Sequence, residues 1–79
     1  METIQIRESA ENYLETILVL QKRHGHVRSI DIANELSFSK PSVSVAMKNL
    51  RLNGLIEIDE DGIITLQEAG RVIAERIYE

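Results

Sequence analysis

A mainly α-helical domain carrying one small β-hairpin is the fold class this sequence predicts, on three observations. Apolar residues recur at helical spacing in four separate stretches. The period shortens to that of strands in one place, between Leu55 and Leu66. Glycine stands just past two of the stretches, at Gly25 and Gly54, where a helix end favours a left-handed residue. The chain of 79 residues has room for one core, so residues 1–79 are expected to form one domain. A domain this small buries only roughly 60% of its unfolded surface, which makes dimerisation an expected source of extra stability.

The first helix is expected over Ser9 to His24. Tyr13, Leu14, Ile17, Leu18 and Leu20 fall on one side, Glu11, Glu15 and Lys22 on the other. Ser9 has N-cap character, and Gly25 supplies the stop. Val27 begins a connector. Ser29 then precedes Ile30, Ile32, Ala33 and Leu36, a short helix with Asp31 near its positive end. Ser37, Phe38 and Ser39 make a turn, with Ser39 as the cap of the next helix. Pro41 suits the first position of that helix, where its missing N–H loses no partner. Val43, Met47 and Leu50 repeat at helical intervals with Ala46 beside them, until Asn53-Gly54 ends the run.

After Gly54 the runs Leu55 to Ile58 and Ile63 to Leu66 are rich in β-branched residues and read as two strands of a hairpin. Asp61-Gly62 is the pair expected to take positive φ in a tight turn. A last helix is expected over Gln67 to Glu79, with Val72, Ile73, Ala74 and Ile77 as its apolar residues. Three helices, a two-stranded wing and a trailing helix, in that order, make the winged helix-turn-helix layout, in which the later helix of the turn enters a major groove.

A net charge of −4 argues at first against a polyanionic partner. Its distribution reverses that. Between Lys22 and Asn53 stand Lys22, Arg23, Arg28, Lys40, Lys48 and Arg51 against Asp31 and Glu35, a local balance of +4 that leaves −8 elsewhere. From Ser37 to Asn53 no acidic residue occurs. Such asymmetry points to a polarised surface rather than evenly solvated charge. The positions of the third helix not needed for the core, Lys40, Ser42, Ser44, Val45, Lys48, Asn49 and Arg51, are mostly small or hydrogen-bonding, as a helix entering a groove roughly 12 Å wide requires.

Ser39, Ser42 and Ser44 can donate to phosphates or base edges, and the free N–H groups of the first turn can hold a phosphate. Ser39 and Ser42 can equally serve only to cap the helix. Lys40, Lys48 and Arg28 are expected on backbone phosphates. Val45 has two readings, contact with a thymine methyl or a place at the rim of the core.

The runs Ser9 to Ile17 (Ser-Ala-Glu-Asn-Tyr-Leu-Glu-Thr-Ile), Val27 to Ala33, Ser39 to Ser44, Asn53 to Ile56 and Leu66 to Gly70 resemble, in order and over nearly the whole chain, the N-terminal winged-helix domain of the diphtheria-toxin-repressor family. These are transcriptional repressors that respond to ferrous iron or manganese. The resemblance implies a sequence-specific regulator that binds double-stranded DNA, at a palindromic operator, as a homodimer. It places Ser39, Pro41, Ser42 and Ser44 at the DNA-facing start of the recognition helix, and Ser29, in the matching run that opens the second helix, is also expected to contact DNA. Three departures stand out. Val45 replaces a usually polar reader. The wing tip Asp59-Glu60-Asp61 is acidic where such wings tend to be basic or aromatic, which is unfavourable for minor-groove contact. Family metal sites draw on positions matching Asn12 and Glu15, and their histidines and further carboxylates lie beyond the residues present here. Asn12 and Glu15 alone make an incomplete set for Mn2+ or Fe2+, and no cofactor is expected in this chain on its own residues.

His24 and His26 flank Gly25 without further ligands close in sequence, and are expected at the surface near bound DNA. Cysteine is absent, which removes disulfides and thiolate metal sites and fits a reducing cytoplasm. Acidic residues interrupt the N-terminal segment, so neither a signal peptide nor a membrane partner is expected. No nucleophile motif or glycine-rich phosphate loop occurs, so an enzyme is not expected. The competing class is a winged-helix docking module for proteins, which an acidic wing and net negative charge would also suit.

Overall fold

The computed structural model describes the backbone of residues 2–78 and the side chains of residues 10–76. In chain order it comprises α1 (Glu2–His24), α2 (Ser29–Leu36), α3 (Lys40–Leu52), β1 (Ile56–Ile58), β2 (Ile64–Leu66) and α4 (Glu68–Tyr78). The two strands pair antiparallel in the register Ile56↔Leu66, Glu57↔Thr65 and Ile58↔Ile64. This is the winged helix-turn-helix arrangement. The trailing helix α4 returns to pack along α1.

One core joins every element. Tyr13, Leu14, Ile17, Leu18 and Leu20 of α1 meet Ile32 and Ala33 of α2, Val43, Met47 and Leu50 of α3, Ile56, Ile64 and Leu66 of the hairpin and Ala74 of α4. Val27, in the connector, is fully enclosed. The hairpin alternates as a half-buried sheet should: Ile56, Ile64 and Leu66 face inward while Glu57 and Thr65 face solvent.

Several element boundaries differ from expectation. α1 begins at Glu2 rather than Ser9, because no glycine or proline interrupts residues 2–24 and a continuing helix leaves no N–H for Ser9 to cap. Its end is as expected: Gly25 takes φ +90° and donates its N–H to the Gln21 carbonyl at 2.9 Å. α2 starts at Ser29 itself, with Arg28 in the N-cap position and the Asp31 carboxylate accepting the Arg28 N–H at 2.9 Å. Pro41 is the second residue of α3, one place later than expected, since Lys40 already follows the Ser39 cap. Leu55 and Ile63 lie outside the strands. α4 starts at Glu68. Glu79, and the side chain of Ile77, fall outside the described residues. Val72 and Ile30, counted among apolar repeats in the sequence, are 50% and 37% exposed.

The wing turn also departs from a two-residue form. Of Asp61 and Gly62 only Gly62 has positive φ, at +81°. The loop spans five residues: Gly62 donates to the Asp59 carbonyl at 3.0 Å, and Asp59 donates to the Ile63 carbonyl at 3.1 Å, a type I turn closed by a glycine bulge. The Asp59 carboxylate accepts from the N–H groups of Asp61 and Ile63, each at 2.9 Å, so this wing acid is part of the turn itself. Ile64 donates its N–H to the Val27 carbonyl at 2.7 Å, which fastens the hairpin to the connector before α2.

Candidate nucleic-acid interface

α3 is aimed by the turn before it. Ser37 closes α2 in the left-handed region (φ +59°), and Phe38 donates its N–H back to the Ala33 carbonyl at 3.0 Å. A non-glycine residue there costs on the order of 1 kcal/mol. Phe38 lies edge-on to Tyr13, ring centroids 6.0 Å apart at 76°. Burial also pushes the Tyr13 phenol pKa above its usual value.

At the start of α3 the Ser39 hydroxyl accepts the Ser42 N–H at 3.3 Å and donates to the Ser42 hydroxyl at 2.8 Å. The cap expected from sequence is therefore made, and both serines remain exposed. Ser39→Ala is expected to lower stability by about 1 kcal/mol, read from a urea midpoint. A change under ~0.3 kcal/mol would mean that water replaces the cap without loss.

Val43, Met47 and Leu50 are buried and define the inner face of α3. At about 100° per residue, Pro41, Val45, Lys48 and Leu52 then fall on the opposite face, with Ser42 and Asn49 along one flank and Ser44 and Arg51 along the other. Each of these, and Lys40, is exposed. Val45 is 61% exposed, which excludes a place at the rim of the core. Leu52, to which the sequence pattern gives no role, is 70% exposed on the same face. The helix carries Lys40, Lys48 and Arg51 and no acid along its 13 residues, roughly 20 Å.

The other expected contact residues are spread around this helix. Ser29 is half-buried at the first turn of α2. Arg28 is exposed, and its Nε donates to the Asp61 carbonyl at 3.2 Å, so it also ties the connector to the wing tip. Arg23 pairs with Glu35 at 3.5 Å on the surface, which takes part of the local positive charge out of play. His24 and His26 are exposed. Arg51 and Gly54 border an open depression whose other side is the hairpin, including Glu57, Asp59 and Thr65.

On α1, Asn12 is exposed and Glu15 half-buried. One carboxylate and one amide oxygen do not satisfy a divalent transition metal, and among the described residues no group of three His, Cys, Asp or Glu side chains is placed to hold one. These residues by themselves do not fit the metal that the resemblance implies. Among the described residues no helix is long and apolar enough to cross a membrane.

Against known proteins, residues 5–64 match the family described as iron dependent repressor, N-terminal DNA binding domain. The chain is 33% identical over 73 residues to the transcriptional regulator MntR of Escherichia coli O157:H7 and to that of Escherichia coli O6:H1, covering 92% of this chain and 47% of each relative. It thus spans about half the length of the curated relatives it matches. Among solved structures it is similar to MepR, a transcription regulator of the Staphylococcus aureus multidrug efflux pump MepA, with a TM-score of 0.62, 23% identity and coverage of 96% of this chain and 67% of that one. The repressor CouR bound to p-coumaroyl-CoA gives a TM-score of 0.64 at 18% identity, covering 95% of this chain and 62% of its own. At such identities these structures bear on the fold, which is the winged-helix fold.

Proposed function

The chain belongs to the iron-dependent repressor family, through its N-terminal DNA-binding domain, and from that membership we propose that it is the DNA-reading module of a transcriptional repressor, laying α3 into the major groove of double-stranded DNA. The observation that carries this is the exposed surface of α3, acid-free, with Lys40, Lys48 and Arg51 set among the small side chains Ser42, Ser44 and Val45. In this reading the Lys40 and Lys48 ammonium groups take backbone phosphates. Ser39, Pro41, Ser42 and Ser44 form the leading edge beside the bases, the hydroxyls donating to phosphate or base. Arg28 and Ser29, at the start of α2, contact the backbone next to them. The wing, acidic at Glu60 and Asp61, stays out of the minor groove.

The work of such a module is regulation rather than catalysis, in the cytoplasm, and as a homodimer on a two-fold operator. Metal response in a repressor of this kind needs ligands besides Asn12 and Glu15. Manganese is accordingly expected to leave the DNA affinity of this 79-residue chain unchanged.

A fluorescence-anisotropy titration against duplex DNA at about 50 and 200 mM salt tests the proposal. Three neutralised phosphates give a slope of roughly −3 in log K against log salt, a loss on the order of 50-fold across that range. No binding at low salt by the folded protein would instead favour a protein-docking role for the acidic wing, the reading that Glu57, Asp59, Glu60 and Asp61 support.

A further inference from the structure

We propose that Val45 and Asn49 together read A·T base pairs, Val45 by packing on a thymine methyl and Asn49 by a paired hydrogen bond to adenine; the inference rests on the DNA-reading role of α3 proposed above. The two residues stand one turn apart on the outer surface of α3, with Val45 at its centre and Asn49 on the flank it shares with Ser42. Four residues of helix rise about 6 Å, less than two base-pair steps of ~3.4 Å each. Both side chains therefore meet the same or neighbouring base pairs.

The chemistry of each selects the same pair. Val45 is 61% exposed and Leu52 70%, so the centre of this face is apolar with Lys48 between them. The thymine methyl is the apolar group that base edges offer in the major groove, and a G·C edge would strip water from polar atoms and give the valine nothing in return. The Asn49 backbone carbonyl accepts the Asn53 side-chain amide at 2.7 Å, while its own carboxamide has no partner among the described residues. A carboxamide offers one acceptor and donors side by side. Adenine presents the complementary N6 donor and N7 acceptor, guanine two acceptors and cytosine a lone donor, so adenine alone allows both bonds.

The test begins by selecting duplexes from a randomised library with the 79-residue chain at low salt. Enriched sites are then rebuilt with deoxyuridine for thymine, which removes the methyl, and with 7-deazaadenine for adenine, which removes N7. The expected result is neighbouring A·T pairs in the enriched sites. Methyl removal should weaken the native protein several-fold and leave Val45→Ala indifferent; N7 removal should weaken it about tenfold and leave Asn49→Ala indifferent. Both variants are surface changes, and an unchanged circular dichroism spectrum verifies their fold. Enriched sites with G·C at these positions, or variants as sensitive to the analogues as the native protein, overturn the base assignment while leaving groove binding in place. Enrichment of no duplex overturns the DNA-reading role and this inference with it.

Discussion

Gly70→Ala is expected to lower the stability of the domain by roughly 1–3 kcal/mol, although the same change in an open helix raises it by about 1 kcal/mol. Gly70 is buried in the first turns of α4. A Cβ there would collide with the Leu55 carbonyl oxygen, and would lie 3.0 Å from the carbonyl carbon and 3.3 Å from Leu14 Cδ2. The carbonyl cannot swing aside freely. It accepts the Gln67 N–H at 2.9 Å, the bond that turns the chain from β2 into α4, and the Leu55 N–H is held by the Leu50 carbonyl at 3.0 Å. Either α4 lifts from α1 or the junction of α3 with the wing is distorted. Against a total stability of about 4–12 kcal/mol, the loss should appear as a drop of about 5–20 °C in Tm. A rise in Tm would show that α4 slides without cost and that its propensity decides the sign.

Lys48→Glu is expected to weaken binding to every duplex by on the order of tenfold or more at ~0.1 M salt, and to reduce the salt slope by about 1. Lys48 is exposed on the outer face of α3, away from the core residues Met47 and Leu50. The reversal removes a cation and, in the proposed docking, would bring a carboxylate to the phosphates, while stability should stay within the range of an ordinary surface change, about ±0.5 kcal/mol. Uniform weakening across sequences identifies a backbone contact. Loss confined to particular sequences would place Lys48 on a base edge instead, and unchanged affinity would mean that DNA does not approach this face.

Much of the fold is legible because a helix buried on one side repeats its apolar residues. Val43, Met47 and Leu50 are enough to orient α3, and in doing so they also mark Val45 and Lys48 as outward. The same logic fails for α4, where Val72, Ile73 and Ala74 are consecutive and no period says which of them faces in; the contact with α1 chooses Ala74. Strand ends are equally silent in sequence. Leu55 has the composition of a strand residue, yet its N–H and carbonyl are taken by Leu50 and Gln67. Asp59 and Arg28 show the limit for charged residues. Sequence registers an acidic wing and a basic connector, but the turn that Asp59 builds and the bond from Arg28 to the Asp61 carbonyl, 33 positions away, depend on partners that only the folded chain brings near.

The bond from Ile64 to Val27 bears on how the domain would meet a partner. A two-stranded hairpin is marginal by itself in water. Here its second strand is hydrogen-bonded to the segment that leads into α2, and its tip to Arg28 in the same segment. Two hydrogen bonds thus tie the wing to the helix-turn-helix. A hairpin held in this way is expected to keep its placement beside α3 when the domain meets a partner, so that little internal freedom would be lost and adjustment of shape would fall chiefly to the other molecule.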